Sequence, residues 1–286
     1  MSILLIIASI IWGINIIVMK ILMEYLPIFL LASVRVAFSS IIIGIFLLQK
    51  KIAIKIPYKL ILFLLLISFF NVGLNFYLSL VGISMLNGSS TAIINALNPV
   101  ITSIFAFVFL KQKLSKKILF AIILSIFGFM ISFGFDFSKL SIGTFLILGS
   151  IISYSYSMIL IKKKGEELSS LVISFYSLLF GSIQLFTTSY LIEGLPFSSF
   201  KDLSFIYLLL FFIFSICGFA YIQSVQMLSI NKIGPIKTSF YLNLNPIFTF
   251  ITAIIFLSES IDCFQIIGLV LMVVSLIISN HKELKN

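Results

Sequence analysis

Apolar runs of roughly 20 residues, divided by short polar connectors, recur along the whole chain. Runs of that length suit a hydrocarbon core about 30 Å thick. Ten can be read, over residues 2–22, 27–48, 59–80, 88–110, 118–134, 143–161, 171–192, 203–228, 234–257 and 263–279. They predict an all-α, polytopic membrane fold of ten transmembrane helices, with connectors too short for a soluble domain. The first run could mimic a signal peptide. No basic residue precedes it, no small-residue cleavage signature closes it, and another apolar run follows at once, so a retained first span is expected.

Composition agrees with this pattern. Of 286 residues, 61% are hydrophobic and 10% charged, with a mean hydropathy of +1.25; soluble domains sit near half apolar and about a quarter charged. The net charge of +10 raises nucleic acid as a partner, but the lysines fall in the connectors, where they report orientation. With the N-terminus inside, Lys50, Lys51, Lys55 and Lys59, then Lys111, Lys113, Lys116 and Lys117, then Lys162, Lys163 and Lys164 all face the cytoplasm, as do Lys232, Lys282 and Lys285. The other side keeps only Lys20, Lys139 and Lys201. Positive-inside insertion therefore predicts a multi-pass protein of the plasma or inner membrane with both termini cytoplasmic. Its expected partners are the lipid bilayer and a small-molecule substrate, not nucleic acid.

Proline placement reveals a duplication. Pro27, Pro57, Pro196 and Pro235 fall at span ends or connectors, whereas Pro99 and Pro246 lie mid-span, where each frees the carbonyl four residues back, at Asn95 and Leu242. The segments around them, NALNPVITSIFAFVFL at 95–110 and LNLNPIFTFITAIIFL at 242–257, agree at eight of sixteen positions with a constant offset of 147. A weaker echo links IWGINIIVMK at 11–20 with SYSYSMILIK at 153–162. The repeats are read as 1–138 and 139–286. Five spans in each half is an odd number, so the second copy enters the membrane from the opposite side. Such inverted repeats are a recurring plan of secondary transporters, with the substrate near mid-membrane and broken helices at equivalent positions marking the site.

These features resemble the drug/metabolite transporter superfamily, in its EamA-type ten-helix branch. The residues carrying the resemblance are Trp12-Gly13, Asn15 and Lys20 in span 1 and Arg35 in span 2. With them go the Asn98-Pro99 and Asn245-Pro246 segments, each closed by Phe-Leu and a polar loop. The resemblance covers essentially the whole chain. It implies a central cavity lined by spans 1, 3, 4, 6, 8 and 9, and export or exchange of amino acids or similar metabolites. Two departures, Lys111-Gln112-Lys113 at the end of span 4 and Tyr154-Ser155 where Trp-Gly is usual, bear on the substrate and leave the fold intact.

Polar side chains inside the spans supply the candidate site. Trp12 and Asn15 share a face of span 1, Asn71 and Asn75 a face of span 3 that continues to Ser79, and Tyr154 and Ser157 a face of span 6. Asn95 and Asn98 flank one proline, Tyr241 and Asn245 precede the other, and span 8 carries Gln223 and Gln226. Singly, such residues read first as glue between helices, with gating an equal reading for Asn98 and Asn245 beside the freed carbonyls. As a set they predict a neutral, hydrogen-bonding, aromatic cavity for a zwitterion or uncharged polar ligand. Arg35, the deepest charge, is read as structural. Lys237, one turn inside span 9, either snorkels to headgroups or meets a substrate anion.

No Asp or Glu falls within an expected membrane core, which favours passive facilitation or coupling through the substrate's own gradient. With no nucleophile–base pair at depth an enzyme is not expected, and Cys217, Cys263 and His281 make no metal site or disulfide. No cofactor is expected. The small-residue series Ala121/Ser125, Gly128/Ser132 and Gly149/Ser153/Ser157 allows close helix approach, whether within one chain or between two copies, so monomer and homodimer both stay open. The function expected is an alternating-access carrier of amino acids or related zwitterions. The alternatives are a carrier of anions such as nucleotide sugars or sugar phosphates, with Lys237 and Arg35 facing the cavity together, or a channel or non-transporting scaffold.

Overall fold

The computed structural model describes residues 2–54, 56–136, 140–164, 167–257 and 262–280. Lys55, Lys139, Glu166, Glu259, His281, Lys282 and Lys285 lie outside them. Helix forms over each expected span, and there is no strand among the described residues. The first half runs through α1 (Ser2–Leu22) and α2 (Ile28–Gln49). Next come α3 (Tyr58–Ser68) and α4 (Leu74–Met85), joined by a π-helical turn at Phe69–Gly73, then α5 (Gly88–Asn95), α6 (Asn98–Leu110) and α7 (Lys116–Ser132). The second half repeats this order with α8 (Ile142–Lys164) and α9 (Ser170–Glu193). After a 3₁₀ turn at Phe197–Asp202, α10 (Phe205–Leu210) and α11 (Gly218–Ile233) flank a second π turn at Phe211–Cys217. Then follow α12 (Pro235–Leu242), α13 (Asn245–Leu257) and α14 (Cys263–Asn280).

Among the described residues, seven helical stretches are long and apolar enough to cross a membrane, including Tyr58–Met85, Gly88–Leu110 and Phe205–Ile233. The stretches over α7, α12–α13 and α14 complete the bundle. Spans 3 and 8 run on to Met85 and Ile233, past the expected ends at Leu80 and Leu228. Backbone hydrogen bonding carries a helix beyond its apolar run, because polar Ser84 or Lys232 can sit at its end facing water.

The mid-span prolines do more than kink their helices. Each span is broken: α5 stops at Asn95 and α6 restarts at Asn98, and α12 stops at Leu242 and α13 restarts at Asn245. Pro99 takes a first-turn position of the new helix, where its missing N–H and fixed φ are harmless.

Direction follows from which residues meet. Ser2 and Ser9 of α1 bond Tyr241, and Gly13 packs on Phe248 and Thr249, so α1 runs parallel to span 9. Thr102 meets Ser155, and Ile94 packs with Ile147 and Ile151, so span 4 runs parallel to α8. The first piece of each broken span lies on the second piece of the other, α5 on α13 and α12 on α6, so spans 4 and 9 are antiparallel. Hence α1 and α8, which open the two halves, point in opposite directions. The repeat is inverted.

The remaining packing joins one half to the other. Helix α2 lies along α9, α4 along α8, α1 along α11, and α7 along α14. In the last pair Gly128 faces Gly268 and the Ser125 and Ser275 hydroxyls are 2.6 Å apart. The small-residue series on α7 is therefore a seam within this chain. At one end of the bundle both Glu193 carboxylate oxygens accept 2.8 Å bonds, from Phe29 N–H and Leu30 N–H, and Ser189 Oγ donates a third. The carboxylate caps the exposed N–H groups that begin α2. Large apolar side chains such as Ile3, Leu62, Leu191 and Phe205 stay exposed on the outer faces, as lipid contact requires.

Candidate functional site

The breaks face a common space, which the first π turn and the residues after the second help to line. Extra π-helical backbone re-aims the residues after it, and such turns are frequent at functional sites. One π turn carries Asn71; the other hands on to Phe219. Together with the ends of α5, α6, α12 and α13 they enclose a cavity of about 120 Å³ at the interface of the halves.

Nine of the expected site residues line it: Trp12, Asn15, Asn71, Asn75, Asn95, Asn98, Tyr154, Gln223 and Asn245. Arg35, Ser79, Ser150, Gln226 and Thr249 join them, between apolar walls that include Met19, Phe76 and Phe219. The other three lie elsewhere. Ser157 is fully buried behind the wall, donating to the Tyr154 carbonyl at 2.6 Å and to Asn71 Oδ1 at 3.4 Å. Tyr241 receives a 3.0 Å bond from Ser2 Oγ at one end of the bundle. Lys237 is exposed in the first turn of α12, away from the lining.

Several lining amides also tie helices together. Asn75 Nδ2 donates to the Ser150 carbonyl at 2.8 Å, and Asn71 Nδ2 to Ser177 Oγ at 3.0 Å. Glue and cavity surface are thus the same residues here, each offering one edge of its amide to a neighbouring helix.

Arg35 is the centre of the site's electrostatics. It is only 6% exposed, and its guanidinium lies 4.6 Å from the Phe219 ring centroid and 5.0 Å from that of Phe76. Nη1 donates to Asn15 Oδ1 at 3.0 Å, and Asn15 Nδ2 in turn donates to the Phe214 carbonyl at 2.9 Å. The Nε–H has no hydrogen-bond partner among the described residues. Nor does any Asp or Glu among them line the cavity. Sequence reasoning found Arg35 by its depth but assigned it to structure. Its helix is not among the six implied cavity helices, and only the long side chain reaches across.

The cavity is one-sided. Its lining extends to Met23 and Ile83, beside the ends of α1 and α4, at the end of the bundle that carries Glu193. Toward the other end it stops at Trp12, Gln226 and Leu242. There Leu5, Ala8, Ile222, Val225 and Leu242 pack into an apolar plug. Tyr221 Oη donating to the Leu4 carbonyl at 3.3 Å and the Ser2–Tyr241 bond hold it shut.

The model of the EamA-like transporter family matches residues 1–134 and 141–280. YvbV of Bacillus subtilis (strain 168), an uncharacterized transporter, is 25% identical over 282 residues, covering 96% of this chain and 89% of YvbV. An uncharacterized transporter of Buchnera aphidicola subsp. Schizaphis graminum (strain Sg) is 29% identical over 221 residues, 76% of this chain and 73% of its own. A crystal structure 10% identical in sequence superposes over 100% of this chain and 98% of that one with a TM-score of 0.72, which speaks for the fold alone.

Proposed function

The chain belongs to the EamA-like transporter family, and from that membership we propose that it carries amino acids or related zwitterions across the plasma membrane by alternating access. The observation that supports this reading is Arg35: a cation in the cavity wall, lying over two aromatic rings, with no carboxylate partner among the described residues. Burying an unpaired charge is costly, and a substrate carboxylate supplies the missing counter-ion. The surrounding carboxamides hydrogen-bond the rest of a small polar ligand, and Trp12, Phe76 and Phe219 cover its apolar part.

Multiply charged sugar phosphates fit this chemistry less well, because Lys237 lies away from the cavity and leaves one cation for several negative charges. With both termini cytoplasmic, as the lysine distribution favours, the open end faces outward. Exchanging the conformations of the two inverted halves gives the inward-open state.

Counterflow in proteoliposomes tests the reading. Radiolabelled L-amino acids are expected to show saturable counterflow, and the corresponding decarboxylated amines none. Arg35→Gln should raise the KM at least about tenfold, the scale of one hydrogen bond to a charged group. Equal flux of amines and amino acids, or an unchanged Arg35→Gln, rejects it.

A further inference from the structure

The two Asn-Pro-x-x-Thr segments are alike in sequence and unlike in structure. In the first copy Thr102 Oγ1 donates to Asn98 Oδ1 at 2.9 Å and sits 2.9 Å from Ser155 Oγ on α8. The hydroxyls form a closed relay, and Thr102 is wholly buried outside the cavity lining. In the second copy, 147 residues on, Asn245 and Thr249 both line the cavity. Here Asn245 Oδ1 and Thr249 Oγ1 have no hydrogen-bond partner among the described residues, although Thr249 is fully buried.

One residue accounts for the missing inter-helix partner. The offset that aligns residues 11–20 with 153–162 pairs Ser155 with Gly13. Gly13 has no hydroxyl to complete a second relay. It also draws the helices together, since a Cβ placed there would lie 2.5 Å from Phe248 Cβ and 2.9 Å from Thr249 N. Close approach of α1 and α13 therefore holds Thr249 against the cavity and takes away the partner that Thr102 has. A buried hydroxyl and amide oxygen left without partners are costly unless a ligand donor meets them.

We propose that Asn245 Oδ1 and Thr249 Oγ1 form the acceptor pole of the site, receiving the ammonium group of a substrate whose carboxylate faces Arg35. The inference rests on the zwitterion reading above and adds the substrate's orientation and a second specificity-determining residue, Thr249. With no acid in the lining among the described residues, these neutral oxygens provide charge-assisted bonds to the ammonium.

The test uses the full chain purified in detergent. Thermal stabilisation by each of the twenty L-amino acids selects the tightest binder, which is then compared with its desamino acid. Wild type should bind the amino acid about tenfold more tightly than the desamino acid. Thr249→Val, which keeps shape and removes the hydroxyl, should bring that ratio close to one. Thr102→Val should lower the melting temperature and keep the ratio, because its hydroxyl holds α6 to α8. A wild-type ratio near one, or a Thr249→Val ratio equal to the wild type's, overturns the acceptor pole and leaves the carboxylate reading standing. If no amino acid stabilises wild type while decarboxylated amines do, both readings fall together.

Discussion

At Gly13 the missing side chain matters more than any side chain could. Its Cα approaches Phe248 and Thr249 so closely that Gly13→Ala must displace backbone. The expected cost is that of overpacking, about 1–3 kcal/mol, read as a lower melting temperature in detergent. Glu193 is a second residue with a local, measurable role. Glu193→Ala removes the acceptor of two N–H bonds at the start of α2 and should destabilise by about 0.5–2 kcal/mol, the range of helix capping. Glu193→Gln, with one acceptor oxygen remaining, should fall between. Neither residue could be valued from sequence. Gly13 stood out only as part of a Trp-Gly pair, and Glu193 only as an acid outside the expected membrane cores. The backbone groups each meets across the bundle lie more than 160 residues away along the chain.

Among the elements, the broken spans were legible and the π turns were not. Proline carries its own backbone rule, so Pro99 and Pro246 marked irregular helix wherever those segments packed. Phe69–Gly73 and Phe211–Cys217 contain no such residue, so nothing local marked their π-helical backbone. The α7–α14 seam yields a prediction at this scale. A side chain at Gly268 would meet Ser132 and the Gly128 carbonyl, so Gly268→Leu should force the two helices apart and sharply lower the yield of folded protein. A double-mutant cycle over Ser125 and Ser275, hydrogen-bonded at 2.6 Å, should give a coupling of only about 0.6 kcal/mol, as is usual within membranes.

For the whole molecule, inversion of the halves produces one conformation open at a single end. The consequence is checked with single cysteines introduced after replacing Cys217 and Cys263 by Ser. An impermeant thiol reagent applied outside intact cells should label Ile83→Cys and Lys201→Cys, while Lys113→Cys should react only after permeabilisation. Labelling of Lys113→Cys in intact cells would reverse the proposed orientation. The amino acid selected in the binding experiment should slow labelling of Ile83→Cys, since that position lines the mouth of the cavity.

Local chemistry along the chain was enough to determine membrane insertion, the helical class and the duplication, and to predict an orientation. Each depends on what a segment is made of: apolar length against bilayer thickness, lysine position against the insertion rule, proline against the helix. Most of the cavity's polar wall was legible for the same reason, because an amide such as Asn75 or Gln223 in hydrocarbon has few places to face. Three matters were settled only by the tertiary structure: the side on which the cavity opens, the reach of Arg35 into it from α2, and the unequal fates of Thr102 and Thr249. Those depend on distances between helices remote in sequence. Two segments with the same Asn-Pro-x-x-Thr pattern become different there, because Ser155 stands beside one and Gly13 beside the other.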